Sequence, residues 1–103
     1  MTNLKKLNLS RLPINDIACL ETLHSLEEVL LAGVTIKDYS VLSNFPNLKL
    51  LSIAQTDVSD LSVLPELPNL ETLYIWDCTH VKDLSPLQRY PKLKPVNSKG
   101  TSV

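Results

Sequence analysis

Apolar residues recur along the chain with a period of 22 residues. Lines of the sequence that share the same pattern begin at Leu4, Leu26, Leu48, Leu70 and Leu93, with spacings of 22, 22, 22 and 23. Seven apolar columns run through the first four lines, and the fifth line stops after Leu93 and Val96. Such a fixed period predicts a repeat protein in which each repeat is one small unit stacked on the next.

Each line divides into a strand and a return segment. The LxxLxL part ends in the two-residue alternation of a strand with one buried face, and the later apolar residues at spacing three predict a short helical turn. If successive strands pair in parallel, about 4.8 Å apart, every column becomes a ladder of equivalent positions.

Two other features mark the return segments. An acidic residue precedes the return in every line, at Asp16, Asp38, Asp60 and Asp83. These carboxylates could be mistaken for catalytic acids or calcium ligands. We interpret them as N-caps, because each meets its own local backbone donors and none is paired with a second acid. Proline then ends the return at Pro46, Pro68 and Pro91, because it lacks an N–H donor.

The pattern LxxLxLxxxxIxDIxxLxxLxxL, over about residues 4 to 97, resembles the 22-residue leucine-rich repeats of bacterial internalin-like proteins and of the phosphatase-regulating class. The resemblance implies an α/β fold, a leucine-rich-repeat solenoid. It would form a right-handed arc with a parallel β-sheet on the concave face and short helical or extended segments on the convex face. We place this domain at residues 1–97 and a flexible tail at 98–103.

One column departs from that family. Its asparagine, which bonds backbone groups of neighbouring turns, is replaced by Leu12, Val34, Thr56 and Cys78. We therefore expect apolar packing at these turns in place of a side-chain ladder.

The outward columns carry the functional prediction. Leu30, Leu50, Tyr74 and Trp76 are apolar, although alternation denies them the core. Arg11, Glu28, Gln55 and Asp77 surround them. An apolar patch with two aromatic residues and a polar rim is typical of a protein-binding site. Small Ala32 and Ala54 would leave room beside Trp76 for an inserted side chain, unless the indole ring folds down and covers Ala54.

A further outward column alternates in sign, at Lys5, Glu27, Lys49, Glu71 and Lys94. We interpret it as a charge ladder that fixes the register of the strands, in preference to a binding site.

Composition excludes several functions. Ten basic and eleven acidic residues leave a net charge near zero, which gives no indication of a nucleic-acid or membrane partner. No stretch of the sequence has the roughly 18 uninterrupted apolar residues of a membrane helix. Two cysteines fit a reducing compartment, so we expect a cytoplasmic protein, or a secreted one if a signal peptide was removed.

No enzyme is predicted. Cys19 and Cys78 lie three strand spacings apart, about 14 Å, which is too far for a disulfide or a shared metal, and both look like small core residues. Cys78 and His80 could form a nucleophile and base pair or half of a zinc site, but no further ligand or orienting group lies near them. Two glycines cannot build a phosphate-binding loop. We therefore predict no cofactor, no metal and no catalytic residue.

Three functions remain open. The chain could be a protein-binding module, a structural repeat block of a larger adhesin, effector or receptor, or a self-assembling module. The last depends on the N-terminal edge, because the segment MTN cannot cover Leu4, Leu7, Leu9, Ile14 and Ile17. That edge is predicted to be a contact surface, most simply in a homodimer, whereas Pro95 hinders strand pairing at the other end.

Overall fold

The computed structural model describes residues 3–14 and 17–102. Four strands alternate with four short 3-10 helices. The strands are β1 Lys6–Asn8, β2 Glu28–Leu30, β3 Leu50–Ser52 and β4 Thr72–Tyr74. The helices are η1 Ala18–Leu20, η2 Tyr39–Asn44, η3 Leu61–Val63 and η4 Ser85–Arg89. Each of the first four lines of the sequence therefore contributes one strand and one return helix, and the described part of the fifth contributes neither.

The four strands form one parallel sheet in the order β1-β2-β3-β4. The register pairs Leu7 with Val29, Val29 with Leu51, and Leu51 with Leu73. These are residues 22 positions apart, so the columns of the sequence are the ladders of the sheet. The fold is the predicted leucine-rich-repeat solenoid, with the sheet on the concave face.

The core lies between the sheet and the return helices. The three apolar residues of the LxxLxL pattern are at most 3% exposed in each of repeats two, three and four. Phe45, which follows η2, has no exposed surface. The first repeat is more open, since Leu4, Leu7, Leu9 and Ile14 are only partly buried. Ile17, however, is 1% exposed, so it does not belong to the open edge. Self-association through this edge stays a prediction.

Aspartates cap the return helices as predicted. The carboxylates of Asp38 and Asp60 accept from the backbone N–H groups of Ser40 and Ser62, each at 2.9 Å. Hydrogen bonds from the side chains and backbones of these serines lower the pKa of both aspartates. Asp83 also accepts from the Ser85 N–H, at 2.9 Å, and so covers the start of η4, although the N-cap position itself is held by Leu84 and not by Asp83 as predicted. The fourth predicted cap, Asp16, lies outside the described residues.

The turns after the strands differ from the predicted apolar packing. Val34 is buried, but the Thr56 hydroxyl and the Cys78 thiol both donate to the carbonyl of Ile53, at 2.7 and 3.1 Å. Leu12 is 45% exposed. Two polar side chains thus satisfy a buried backbone acceptor, which is the kind of contact that an asparagine ladder would supply.

Cys19 is also placed differently from the prediction. It is exposed, whereas Cys78 is buried as expected. The reason lies in η1, a single turn in which Leu20 takes the buried position and its neighbour faces outward.

The residues after Val96 are tied to the fourth repeat. Asp77 N–H donates to the Lys99 carbonyl at 2.9 Å, and Ser102 N–H donates to the Val81 carbonyl at 2.8 Å. Gly100 has a φ of 81°, and a Cβ there would lie only 2.9 Å from the backbone nitrogen of Asp77. This segment, predicted from its polar composition to be a loose tail, therefore continues the pattern of main-chain hydrogen bonds.

Two buried tyrosines differ in one respect. The Tyr90 hydroxyl donates to the Pro65 carbonyl at 2.8 Å and accepts from Arg89 at 3.1 Å. The Tyr39 hydroxyl has no hydrogen-bond partner among the described residues. Burial raises the pKa of Tyr39 to about 12, and the nearby Thr56 hydroxyl only partly opposes this shift. An unpaired buried hydroxyl has lost its hydration without compensation.

Removing these two hydroxyls should therefore have opposite effects. We expect Tyr39→Phe to raise the free energy of unfolding by about 1 kcal/mol and Tyr90→Phe to lower it by about 1 kcal/mol. Urea denaturation of the two variants beside the wild type measures both changes. A loss of stability in Tyr39→Phe equal to that in Tyr90→Phe would mean that the Tyr39 hydroxyl is hydrogen-bonded.

Candidate protein-binding face

The outward side chains of the sheet share one surface, which we call the concave face. Val29, Leu51 and Leu73 point into the core and are at most 3% exposed. Their neighbours point the other way: Leu30 and Leu50 are partly exposed, and Tyr74 is 40% exposed. The register places Leu30 and Tyr74 in one ladder, on either side of Ser52. Leu30, Leu50 and Tyr74 therefore reach solvent from three adjacent strands.

Trp76 follows Tyr74 on the same face and is partly buried. The opening predicted beside it is absent, because Ala32 is 8% exposed and Ala54 is completely buried. The structure thus fits the alternative in which the indole ring covers Ala54. Since alanine is too small to fill an outward position by itself, neighbouring side chains must close over it. The floor here is shallow and closed.

The four polar residues predicted around the patch lie in two places. Glu28 is on the strand itself, where its carboxylate is 3.6 Å from the Lys6 ammonium. The other three, which we call the rim residues, are Arg11, Gln55 and Asp77, and they follow the strands in repeats one, three and four. All three are exposed.

The rim residues share an uncommon backbone conformation. Their φ angles are 64°, 58° and 59°, in the left-handed region, and Gly33 occupies the equivalent position of repeat two with a φ of 75°. A non-glycine residue adopts this conformation at a cost of roughly 1–2 kcal/mol. The sequence signal was weak, because only Gly33 indicates that the turn requires a positive φ.

A side-chain hydrogen bond crosses the rim. The Arg11 guanidinium donates to the Gln55 amide oxygen at 3.0 Å, although the two residues are two repeats apart. Gly33 lies against this arginine, since a Cβ at that position would be in van der Waals contact with the Arg11 side chain, at 3.4 Å. The arginine therefore lies across repeat two.

A depression of about 210 Å³ opens on the concave face at repeats one and two. It is lined by Lys6, Leu7, Asn8, Glu28 and Leu30. Lys6 and Asn8 were not predicted as site residues. The sequence pattern does place both residues in outward columns. Because they are polar, however, nothing distinguished them from an ordinary solvated surface.

Three of the four neighbouring pairs in the alternating charge column lie within ion-pair distance. The Glu27 carboxylate lies 4.0 Å from the Lys5 ammonium and 3.9 Å from that of Lys49, and Lys94 lies 3.7 Å from Glu71. These side chains are all substantially exposed, so each pair contributes little to stability. Their arrangement favours the observed register, because a shift by one residue would place Leu48 or Leu50 opposite Glu27 in place of Lys49.

Other polar groups are less suited to a site. Cys78 is completely buried and its thiol donates to a backbone carbonyl, so it is inaccessible to a substrate. A depression of about 440 Å³ lies by the return segments, lined by Ser59, Asp60, His80, Lys82 and Asp83. Its two aspartates already cap helices. Within residues 3–14 and 17–102 no three His, Cys, Asp or Glu residues are grouped as metal ligands.

No helix in the described part of the chain combines the length and the apolar character needed to span a membrane.

Comparison with known proteins agrees with the repeat geometry. The family model for leucine-rich repeats in two copies matches residues 46–89, which are the third and fourth repeats. The third and fourth repeats are therefore leucine-rich repeats. No curated protein is detectably similar to it in sequence.

Solved leucine-rich-repeat structures share the fold. Internalin C2 from Listeria monocytogenes superposes with a TM-score of 0.79 at 20% identity, over 91% of this chain and 42% of the internalin. A second Listeria monocytogenes internalin, inlF, gives a TM-score of 0.67 at 26% identity, over 97% of this chain and 36% of the internalin. The chain thus spans less than half the length of either internalin. The similarity to internalin-like leucine-rich repeats predicted from the sequence is confirmed.

Proposed function

We propose that this leucine-rich-repeat protein is a non-catalytic module that binds another protein on its concave face. Leu30, Leu50, Tyr74 and Trp76 would supply the buried apolar area, and Glu28 with the rim residues would select the partner. The observation that supports this proposal most directly is the exposure of Tyr74. A tyrosine that is 40% exposed on a sheet face, beside partly exposed leucines, is the kind of amphipathic anchor that protein interfaces favour.

The convex side gives the matched control. Val63 lies at the end of η3 and is 48% exposed, so it resembles Tyr74 in exposure but lies on the opposite side of the solenoid. A charged residue at either position should be tolerated by the fold, because neither side chain is buried in the core. A difference between the two variants therefore reports on the face that binds.

Affinity purification with the wild type, Tyr74→Arg and Val63→Arg tests the proposal. We expect a protein that is retained by the wild type and by Val63→Arg but is lost from Tyr74→Arg, because arginine cannot enter the apolar contact that tyrosine makes. Far-ultraviolet circular dichroism of all three proteins confirms that the fold is unchanged. Retention by Tyr74→Arg together with loss from Val63→Arg would place the binding surface on the convex side.

A further inference from the structure

Two rim residues carry opposite charges, and neither forms an ion pair within the described part of the chain. Arg11 makes one side-chain hydrogen bond, to the neutral amide of Gln55. Asp77 is exposed, and its carboxylate lies against Gly100, where an added Cβ would clash with it. By contrast, the strand charges Lys6 and Glu28 pair with each other.

The two unpaired charges occupy opposite ends of the same column. Arg11 belongs to repeat one and Asp77 to repeat four, so three strand spacings, about 14 Å, separate their backbones. Gly33 and Gln55 between them are uncharged. The Arg11 guanidinium, however, reaches Gln55 of repeat three, so the two charges lie closer together than their backbones, with the positive charge on the repeat-one side of the negative one.

Conformation gives a second reason to assign a role to these side chains. The same turn accepts glycine in repeat two, at Gly33, and a glycine with positive φ also occurs in the closing segment, at Gly100. Glycine adopts that conformation without the steric cost that Arg11, Gln55 and Asp77 incur. The backbone alone would therefore favour glycine at all three rim positions. Their side chains add cost to the fold and have no stabilising ion pair to offset it.

The shape between the charges suits an extended segment. Ser10, Ala32 and Ala54 form the adjoining outward column in repeats one to three, and all have small side chains. Ala32 and Ala54 are buried, so the surface beside the rim has no opening to receive a long side chain. An extended segment can lie across this closed surface without inserting a side chain. Since an extended strand rises about 3.3 Å per residue and the guanidinium lies at Gln55, fewer than four residues cover the distance between the two charges.

Resting on the proposed function, we infer that the rim binds an extended peptide segment of the partner protein and selects it by the order of its acidic and basic residues. The segment carries a carboxylate that meets Arg11 and a Lys or Arg fewer than four residues away that meets Asp77. The guanidinium has five N–H donors, and only one is used by Gln55, so it can bind a carboxylate with two parallel hydrogen bonds. Gln55 holds Arg11 across repeat two and thereby fixes where that carboxylate binds.

Selection from a phage-displayed library of random dodecapeptides tests this inference. The immobilised proteins are the wild type, Arg11→Gly, Asp77→Gly and Tyr74→Arg. Glycine is the matched replacement at the rim, because it keeps the left-handed turn without strain, whereas alanine would add strain. Thermal unfolding shows that each variant is folded.

From the wild type we expect peptides with an acidic residue and a basic residue fewer than four positions apart and an apolar residue nearby. Arg11→Gly should select peptides that keep the basic residue but lose the acidic preference, and Asp77→Gly should do the reverse. Binding of one selected peptide should weaken roughly tenfold in either glycine variant, since each removes one charge-assisted contact. Arg11→Lys should recover part of the loss.

The outcomes separate the two proposals. The wild type could select apolar peptides without a charge pattern, which Tyr74→Arg does not bind. That result would overturn the inference about the rim charges and leave the concave face as the binding site. The same charge pattern from Arg11→Gly as from the wild type would also overturn it. Selection of no peptide, or of peptides that Tyr74→Arg binds equally well, would count against both the rim and the concave face.

Discussion

Replacing Leu51 by alanine should lower the free energy of unfolding by about 3 kcal/mol, and the same change at Leu50 should lower it by less than about 1 kcal/mol. The two leucines are neighbours in β3 and differ only in the face to which they point. Leu51 has no exposed surface and pairs with Val29 and Leu73 in the central ladder, whereas Leu50 is partly exposed on the concave face.

The physical reason is the cavity. Removing the Leu51 side chain leaves a void that the repeats on both sides cannot easily fill, because each strand is held by hydrogen bonds to two neighbours. At Leu50, water occupies the space that the side chain leaves. Urea denaturation of both variants measures the difference. Equal losses would mean that Leu50 also belongs to the core, and the concave face would then lose one of its apolar residues.

Replacing Trp76 by alanine should weaken binding of the partner by more than about 2 kcal/mol, or about 30-fold in dissociation constant. A partly buried tryptophan next to an exposed tyrosine offers a large and rigid apolar contact at a small cost in conformational entropy. Trp76→Phe, which keeps an aromatic ring, should lose less. Titration calorimetry with the protein recovered by affinity purification measures these affinities.

Stability must be measured beside affinity, because the indole is the best candidate to cover Ala54, which is completely buried. Val63→Ala on the convex side serves as the control that should leave affinity unchanged. A dissociation constant for Trp76→Ala within threefold of the wild type, in a protein that remains folded, would remove Trp76 from the binding site.

The repeat and its register could be predicted from the sequence because the same physical requirement recurs every 22 residues. A side chain that enters the core of one repeat has equivalent neighbours above and below it, so Leu7, Val29, Leu51 and Leu73 had to align. The aspartate caps followed from local chemistry, since Asp38 and Asp60 accept from backbone groups two residues away. The alternation of the strands likewise identified Leu30, Leu50 and Tyr74 as outward.

The candidate site was less predictable, because its shape depends on contacts between repeats. Alternation predicts which side a residue faces but not how much of it neighbouring side chains cover, so the sequence left open whether Ala54 is covered or exposed. Cys19 was misplaced for a related reason: in a single helical turn, a shift of one residue exchanges the core for the solvent. The hydrogen bond from Arg11 to Gln55 joins residues 44 positions apart, and only a stacked fold brings them together.

The sequence by itself determined the period, the parallel order of the strands and the two faces of the sheet, because each depends on a pattern that every repeat carries. The tertiary structure alone decided the depth of the concave face, the left-handed conformation of Arg11, Gln55 and Asp77, and the attachment of residues 98–102 to repeat four. These features arise where one repeat closes over another. Their geometry depends on the particular side chains that meet there, and the shared pattern does not specify it.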